Sequence, residues 1–403
     1  MITKEQLLAI ATELKLLPTT INKDYALSWL LVGIGQHPSL SKWVFKGGTC
    51  LKKAYFDTYR FSEDLDFTIP QNEAYSQEVI LGAVRETAEN IYDLSGIEFV
   101  KDKIQVTPSI NKNGKETFVV KLPFQGPLPL NNKSIQRIKF DITQDETLVA
   151  KPEMRPIFHG YSDAPTPSAE VLCYTVNEII AEKSRALYER QGRARDVYDV
   201  VNISHNFREE INTEEARKIL AEKFAFKDLP IPTVELILSQ IDHDLLKQNW
   251  NQQLKHQLPV LPPVDSFIDD LEEALRWWVE DIAATQLTPA PCLRKNEKTV
   301  ARERFFIPYE MEHIHLQNSS SQLNQIRFAA RNRLCVLIQY KGITRLAEPY
   351  SLRIPGIGNL LLYVYELKKG SEQGGGTKAF KVSDIQNITV TETPYQPRFS
   401  IEL

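Results

Sequence analysis

Two neighbouring stretches decide the fold of this chain: Lys46-Gly47-Gly48-Thr49-Cys50-Leu51 and Arg60-Phe61-Ser62-Glu63-Asp64-Leu65-Asp66-Phe67. The first follows Trp43-Val44-Phe45, which predicts a short buried strand, and runs into a helical pattern over residues 50–56. The second opens an alternating strand over residues 65–69. A Gly-Gly turn between a strand and a helix lets the backbone approach a triphosphate, and the helix N-terminus and a threonine hydroxyl add hydrogen-bond donors. The first stretch therefore predicts a nucleotide-binding turn formed by Gly47, Gly48 and Thr49.

The paired aspartates of the second stretch predict a metal site. Asp64 and Asp66 are separated by one residue, so on a strand their carboxylates share a face while Leu65 and Phe67 face the core. Carboxylate oxygens are the ligands that hard cations such as Mg²⁺ prefer. Two such ions can hold the attacking and leaving oxygens when a hydroxyl attacks an α-phosphorus and pyrophosphate leaves. We predict that Asp64 and Asp66 bind Mg²⁺ (or Mn²⁺).

A third carboxylate is expected on a neighbouring strand. The stretch Arg137-Ile138-Lys139-Phe140-Asp141-Ile142 alternates, which places Asp141 on one face with Lys139 and Arg137. We assign Asp141 either as a third metal ligand or as the base that orients the attacking hydroxyl. The combination of strand, Gly-Gly turn, paired aspartates and a later strand aspartate predicts an enzyme that transfers a nucleotide from an NTP to another molecule.

A long helix predicted over residues 168–190 carries a candidate phosphate-binding lysine. Lys183 could neutralise a triphosphate as a point charge, or it could belong to an ordinary solvated face with i,i+4 ion pairs. Another helix begins near Arg193, and there Arg195 and Asp196 could form a structural pair that docks the helix. The residues alone leave both alternatives open.

The bulk properties exclude several classes of protein. The chain has 403 residues, which predicts two or three domains. Its net charge of -4 shows no global basic excess that would indicate nucleic-acid binding, although a local basic patch could exist within this total. The four cysteines form no CxxC pair, and we predict that they are reduced thiols of a cytoplasmic protein. No run approaches the roughly 18 apolar residues that a membrane span needs. The seven histidines show no HExxH spacing, so a zinc hydrolase is not expected.

The patterns predict an α+β chain: a nucleotidyltransferase domain with a mixed sheet over residues 1–205, a helical domain over 206–285, a linker over 286–325 and an all-β domain over 326–403. Further helices are predicted over 3–17, 22–36 (with Asn22 as a possible cap) and 74–94. Further strands are predicted over 97–108, 116–124 and 134–143, with a hairpin turn at Asn113-Gly114, and over 346–353, 360–367, 378–382 and 387–391.

The chain resembles the AbiEii/AbiGii-type nucleotidyltransferases, relatives of the MenT toxins in the DNA polymerase β-like superfamily. The resemblance covers about residues 1–280 and is most specific at the two opening stretches. The other matching residues are Lys23-Asp24-Tyr25, Asp141, Glu178 through Lys183, Arg195-Asp196-Val197-Tyr198-Asp199, and Trp250, Leu254, Leu258 and Pro259.

The resemblance implies more than the spacing does. Such proteins are typically toxins of bacterial toxin–antitoxin or phage-defence systems that use an NTP with Mg²⁺. Some members add nucleotides to the 3′ end of tRNA and block translation. The resemblance therefore implies an RNA acceptor and a possible cognate antitoxin. It makes Lys183 and Asp196 active-site residues, and it adds Lys46 and Ser62 as candidate nucleotide contacts.

The tail is similar to the WYL domain, an SH3-like β-barrel. The matching stretches are 326–331, 336–340, 348–352, 362–366 and 380–381. The tail departs from that family at its name-giving tripeptide, because Leu361 or Leu362 stands where tryptophan is expected. Such modules tend to bind nucleic acids or nucleotides and to regulate the attached domain. The arginines suited to phosphates, which could equally form a solvated barrel surface, are Arg327, Arg331, Arg333, Arg345 and Arg353.

Two alternatives to an RNA-modifying enzyme remain at this point. The first is a non-catalytic nucleotide sensor that regulates or is regulated by the tail. Three like charges kept together without a metal argue against it, because their mutual repulsion has no compensation. The second is transfer to a small molecule, as in aminoglycoside nucleotidyltransferases, or to a protein hydroxyl.

Overall fold

A computed structural model describes residues 1–56, 59–111, 114–128, 135–283, 286–294, 297–299, 317–355 and 358–403. The chain forms two compact units: Met1–Asp199 with Glu209–Pro259, and Val200–Arg208 with Val260–Leu403. The four-part division at 205, 285 and 325 stays a prediction. Asn113 of the predicted hairpin turn, Ser134 at the start of a predicted strand and part of the predicted linker lie outside the described residues. Within them, no helix is long and apolar enough to cross a membrane.

The first unit combines helices with a mixed sheet. Its helices are α1 (Lys4–Leu14), α2 (Pro18–Gln36), α3 (Gly47–Cys50), α4 (Gln77–Ser95), α5 (Val176–Glu189), the first part of α6 (Ala194–Asn206), α7 (Thr213–Phe226), α8 (Val234–Ser239) and α9 (His243–Leu254). Its strands are β1 (Val44–Lys46), β2 (Asp64–Thr68), β3 (Glu98–Phe99), β4 (Gln105–Ile110), β5 (Glu116–Gln125), β6 (Gln136–Thr143), β7 (Glu153–Pro156) and β8 (Glu170–Cys173). Single helical turns lie at Leu40–Lys42, Lys101–Lys103 and Lys255–Gln257, and a wide turn at Leu51–Tyr55.

The sheet brings together strands that are far apart in the chain. Its order is β3-β5-β6-β2-β1-β8-β7, with β4 beside β5. β2 runs parallel to β6 and antiparallel to β1, and β8 runs parallel to β1. On β6 the alternation is as predicted: Ile138, Phe140 and Ile142 are buried, while Lys139 and Asp141 are partly exposed. One face of β2 and β6 is therefore core, and the opposite face carries the charged residues.

Two helix boundaries differ from the sequence-based expectation. Val171 and Cys173 are buried in β8, so α5 begins only at Val176, where the Thr175 hydroxyl caps the helix by accepting from the Glu178 amide. The helix predicted from Asn22 begins at Pro18, because proline fits the first helical turn. Asn22 lies inside α2 and donates to Gln136 Oε1 at 2.6 Å instead of capping.

The second unit carries an antiparallel sheet. It contains the end of α6, α10 (Val264–Val279) and α11 (Gln317–Arg331). Its strands are β9 (Glu297–Thr299), β10 (Leu334–Tyr340), β11 (Ile343–Pro355), β12 (Leu361–Lys369), β13 (Glu372–Gln373), β14 (Thr377–Lys381) and β15 (Ile385–Pro394). The order is β13-β12-β11-β10-β15, with β14 beside β12 and β9 beside β11. The four predicted strands after residue 345 correspond to β11, β12, β14 and β15.

A buried polar cluster anchors α2 in the first unit. Lys53 Nζ lies 2.7 Å from Asp24 Oδ2, and the Tyr161 hydroxyl donates to the same oxygen at 2.8 Å. His159 packs edge-on against Trp29, with 4.9 Å between ring centroids. Within the described residues neither ring nitrogen of His159 has a hydrogen-bond partner. Burial, and then the nearby ammonium of Lys53, lower the pKa of His159 to about 4. His159 is therefore neutral in the folded protein at neutral pH.

Acid should destabilise the fold through His159. The unfolded chain protonates this histidine below its ordinary pKa of about 6.5, whereas the folded chain resists protonation down to about pH 4. The free energy of unfolding therefore falls as pH drops through this window, by about 2 kcal/mol at pH 5 from this residue. In His159→Phe, the loss between pH 7 and pH 5 should be smaller by that amount in urea unfolding. The exposed His243 offers the control His243→Phe, and equal pH slopes in all three proteins would contradict the prediction.

Candidate active site

One cavity of about 560 Å³ gathers nearly all the predicted site residues. Its volume lies in the range of about 300–1,000 Å³ that is usual for ligand pockets. It is lined by residues of β1, β2, β6, α5, the start of α6 and the turn after β1. The predicted residues that line it are Lys46, Gly47, Gly48, Ser62, Asp64, Asp66, Asp141, Lys183 and Asp196.

The carboxylates of β2 and β6 lie side by side in this cavity. Asp66 is the register partner of Asp141 on the parallel neighbour and of Lys46 on the antiparallel one. Asp64 precedes Asp66 by two residues and shares its face. Asp141 Oδ2 accepts from Lys139 Nζ at 2.6 Å. In the described ranges no three Asp, Glu, His or Cys side chains already stand at metal-binding distances from one another.

The electrostatics of Asp66 fit a cation in this cavity. Burial raises the pKa of Asp66 to about 6, Lys46 opposes this rise, and the like charges of Asp141 and Asp64 add to it. The ionised form is therefore destabilised, which a bound cation reverses. Carboxylate oxygens are also the donor type that Mg²⁺ and Mn²⁺ prefer. The residues present fit a divalent metal ion.

Lys46 is a buried cation at the end of β1. Its Nζ lies 3.5 Å from Glu146 Oε1 and 3.7 Å from Glu182 Oε1, and 5.6 Å from the centre of the Tyr174 ring. Burial alone would lower the pKa of Lys46, but Glu182, Tyr174, Glu146 and Asp66 together raise it above the usual range. Lys46 is therefore firmly protonated and contributes a fixed positive charge to the cavity.

Lys183 belongs to an ion cluster that joins α5, α6 and the stretch before β2. Its Nζ lies 2.8 Å from Asp199 Oδ2 and 3.1 Å from Asp196 Oδ1. Arg60 binds Asp199 through two hydrogen bonds of 2.7 Å, and Tyr59 donates to the same carboxylate at 2.6 Å. Burial opposes ionisation of Asp199, but Arg60 and Lys183 hold its pKa well below the usual range. Asp199 thereby fixes both cations beside the cavity.

The Gly-Gly turn approaches the carboxylates closely. Gly47 has φ +79°, a conformation that residues with a Cβ rarely adopt, and a Cβ there would lie 2.3 Å from Asp66 Oδ2. Thr49 was predicted to contact the nucleotide, but it is fully buried and does not line the cavity. Its hydroxyl donates to the Asp64 carbonyl oxygen instead. Thr49 thus ties the turn to β2, because that bond occupies its hydroxyl proton.

Gly47→Ala should damage the site more than the fold. The added Cβ forces strain at positive φ and displaces the Asp66 carboxylate, so we expect nucleotide transfer to fall about 100-fold, or about 3 kcal/mol. We expect the melting temperature to fall by several degrees. Gly82→Ala is the matched control, because Gly82 lies inside α4 with open space at its Cβ position, and alanine there should stabilise by up to about 1 kcal/mol. Transfer by Gly47→Ala at the wild-type rate would contradict the close approach.

Sequence reasoning missed several residues of the cavity. Arg60 and Asp199 stood inside the matching stretches but received no role, although Asp196 and Asp199 share a helix face at i,i+3 spacing. Glu182 was read only as part of a helix face. The other charged lining residues that received no role at the cavity are Lys139, Glu146, Arg185, Arg190, Arg193 and Arg195. Glu146 lies in an irregular segment after β6, where no local pattern could have marked it.

The mixed sheet, the Gly-Gly turn and the adjacent strand carboxylates are the arrangement expected of a nucleotide-transferring enzyme. The sequence matches the family described as nucleotidyl transferase AbiEii toxin, type IV TA system, over residues 29–281. Because this match spans more than half of the chain, the chain belongs to the AbiEii family of nucleotidyltransferase toxins. The resemblance carried by the two opening stretches is confirmed, whereas the match does not extend to the tail. No curated protein gives a significant match to the sequence.

Proposed function

We propose that this enzyme transfers a nucleotide from an NTP to the 3′ end of an RNA, with tRNA as the foremost candidate, in a reaction that requires Mg²⁺ or Mn²⁺. The proposal rests on one observation. Asp66 and Asp141, which are paired on neighbouring strands, lie in the same cavity as the Gly-Gly turn and Lys183. Family membership implies the NTP and the type IV toxin–antitoxin context. A cognate antitoxin is part of the proposal.

The residues of the cavity divide into two tasks. Asp64, Asp66 and Asp141 would hold the metal, which when bound neutralises phosphate charge and polarises the reacting phosphoryl group. Lys46, Gly47, Gly48, Ser62 and Lys183 bind the nucleotide, with the two lysines opposite its triphosphate. Asp141 has a side chain that is 41% exposed, so it is also placed to accept the proton of an acceptor hydroxyl.

Asp196 acts through Lys183. Its carboxylate is 2% exposed and accepts from Lys183 Nζ at 3.1 Å and from Arg190 Nη1 at 3.4 Å. A carboxylate so enclosed orients the lysine ammonium toward the cavity instead of meeting the substrate. Thr49 has the same kind of indirect task, because it fixes the turn against the Asp64 carbonyl group.

The test is transfer of label from each of the four NTPs to purified cellular RNA, with and without Mg²⁺ or Mn²⁺. We expect label at RNA 3′ ends with one or a few NTPs, and none without metal. Label in a small molecule or in protein would replace the RNA acceptor while keeping the transferase. Metal-dependent thermal stabilisation by an NTP without any label transfer would instead favour a nucleotide sensor.

For the second unit we propose a WYL-like, SH3-like barrel that regulates the transferase by binding an anionic ligand. A shallow cavity of about 480 Å³ supports this proposal, since Arg294, Arg345, Lys369 and Lys378 line it beside the aromatic ring of Phe380. Its acidic lining residue is Glu366, which pairs with Arg345. Thermal shift of the whole protein with mononucleotides and short oligonucleotides tests this role, and Arg345→Ala should abolish any shift that arises there.

A further inference from the structure

The turn between α5 and α6 and the first turn of α6 together carry three arginines at the edge of the cavity. Arg190, Arg193 and Arg195, called here the arginine corner, all line the cavity. In the turn, Gln191 and Gly192 both have positive φ, and Gly192 packs so closely on Ile241 that a Cβ would lie 2.6 Å from its side chain. This backbone conformation brings the three arginines to the same edge of the cavity.

The positive charge of the corner is only partly compensated by ion pairs. Lys46 and Lys183 each contact two carboxylates, whereas among the described residues the three arginines share one ion pair, between Arg190 and Asp196 at 3.4 Å. Arg195 donates through Nε to the Gln253 carbonyl oxygen at 3.3 Å. Across the described part of the chain, Arg193 makes no ion pair. Burial, and then the cations of Arg60 and Arg193, lower the pKa of Arg195, while Asp199 and Asp64 oppose this shift.

Exposure separates the corner from the lysines of the cavity. The side chains of Lys46 and Lys183 are 9% and 13% exposed, so only a ligand small enough to enter the cavity reaches them. The Arg190 side chain is 55% exposed and Arg193 is exposed. A polymer that is too large for the cavity can still contact the corner. Guanidinium groups also match phosphate oxygens in geometry as well as in charge.

We propose that the arginine corner binds the phosphodiester backbone of a single-stranded nucleic-acid acceptor and so presents its terminal hydroxyl to the cavity. The inference rests on the proposed transferase function and adds the residues that bind its second substrate. A single strand is proposed because the cavity, at about 560 Å³, has the size of a small-ligand pocket and must also hold an NTP. A polyanionic acceptor also relieves the repulsion among the three cations.

Fluorescence anisotropy with a labelled single-stranded RNA tests the corner, with a DNA of the same sequence as a second arm. Arg193→Ala should weaken RNA binding about 5- to 10-fold, and should reduce the slope of log affinity against log salt by about 0.7, the value for one phosphate contact on a single strand. A double variant, Arg190→Gln with Arg193→Gln, should roughly double the change in slope. Equal losses on DNA and RNA indicate backbone contacts alone, and a larger loss on RNA indicates contacts to the 2′-hydroxyl in addition.

Lys218→Ala is the matched control, because Lys218 is 73% exposed on α7 and does not line the cavity. It should bind RNA within about twofold of the wild-type protein. The NTP-dependent rise in melting temperature checks that the cavity is intact in each variant. Wild-type RNA affinity and salt slope in both arginine variants would overturn the inference, as would loss of NTP binding in place of RNA binding, or failure of the wild-type protein to bind either oligonucleotide.

Label transfer by the same proteins separates this inference from the proposed function. If the wild-type protein labels RNA and the arginine variants bind RNA normally, the proposed role of the arginine corner is wrong, whereas the proposed transferase function is supported. If the corner is needed for RNA binding but no NTP labels RNA, the proposed transfer to RNA is wrong, whereas the proposed role of the arginine corner in RNA binding is supported.

Discussion

Asp66→Asn is expected to reduce nucleotide transfer by at least about 1,000-fold, which corresponds to about 4 kcal/mol of transition-state stabilisation. The amide keeps the size of the carboxylate but lacks the charge that a divalent cation needs. Asp66 has Lys46 and Asp141 as its register partners, so it lies at the centre of the charged face of the sheet. Steady-state transfer rates and Mn²⁺ affinity, measured by electron paramagnetic resonance, should both fall.

The fold should tolerate this change. Burial raises the pKa of Asp66 to about 6, so the folded protein gains no stability from its ionised form, and the melting temperature of Asp66→Asn should equal or exceed that of the wild-type protein. Asp93→Asn, at an exposed position of α4, controls for the substitution itself. Substantial transfer by a folded Asp64→Asn/Asp66→Asn double variant would disprove the metal role of the pair.

Arg60→Ala is expected to destabilise the first unit by about 3–5 kcal/mol, because it leaves a buried carboxylate without its main partner. Arg60 and Asp199 are 2% and 0% exposed, and their two hydrogen bonds join the stretch before β2 to α6. Arg60 also donates to Gln257 Oε1 at 3.0 Å. Urea unfolding followed by circular dichroism measures the loss.

Two further variants test whether the unpaired charge of Asp199 causes the loss of stability in Arg60→Ala. Arg85→Ala removes an exposed arginine of α4 and should change stability by less than about 0.5 kcal/mol. Adding Asp199→Asn to Arg60→Ala should recover part of the lost stability, since the amide has no charge to leave unpaired. If the double variant is less stable than Arg60→Ala by the full effect of Asp199→Asn alone, the pair does not act as a unit.

The sequence predicted the parts of the site that follow a local rule. The Gly-Gly turn after β1 and the paired aspartates of β2 depend only on period-two alternation and on turn chemistry. The alternation of β6 likewise placed Asp141 on the polar face. The alternation could not predict the register between the two strands. That register depends on the pairing of β6 with β2, which makes Asp66 and Asp141 partners although 75 residues separate them in the chain.

The errors came from residues whose environment is tertiary. The start of α5 was wrong because Glu170–Cys173 becomes a strand by pairing with β1 and β7. The location of Thr49 and the partners of Asp199 depend on elements that pack together only in the folded chain. No local pattern distinguishes a threonine that meets a ligand from one that bonds a carbonyl oxygen.

The parallel pairing of β2 with β6 has a consequence for a toxic protein during its synthesis. Parallel neighbours need a long crossover, and non-local contacts of this kind form late in folding. A nascent chain that has emerged as far as Phe67 holds the Gly-Gly turn and the paired aspartates but has neither Asp141 nor Lys183. Asp196 and Asp199 follow later still, with α6. We therefore expect nucleotide transfer only after roughly the first half of the chain has been made and folded, and a fragment that ends near Phe67 should show no transfer.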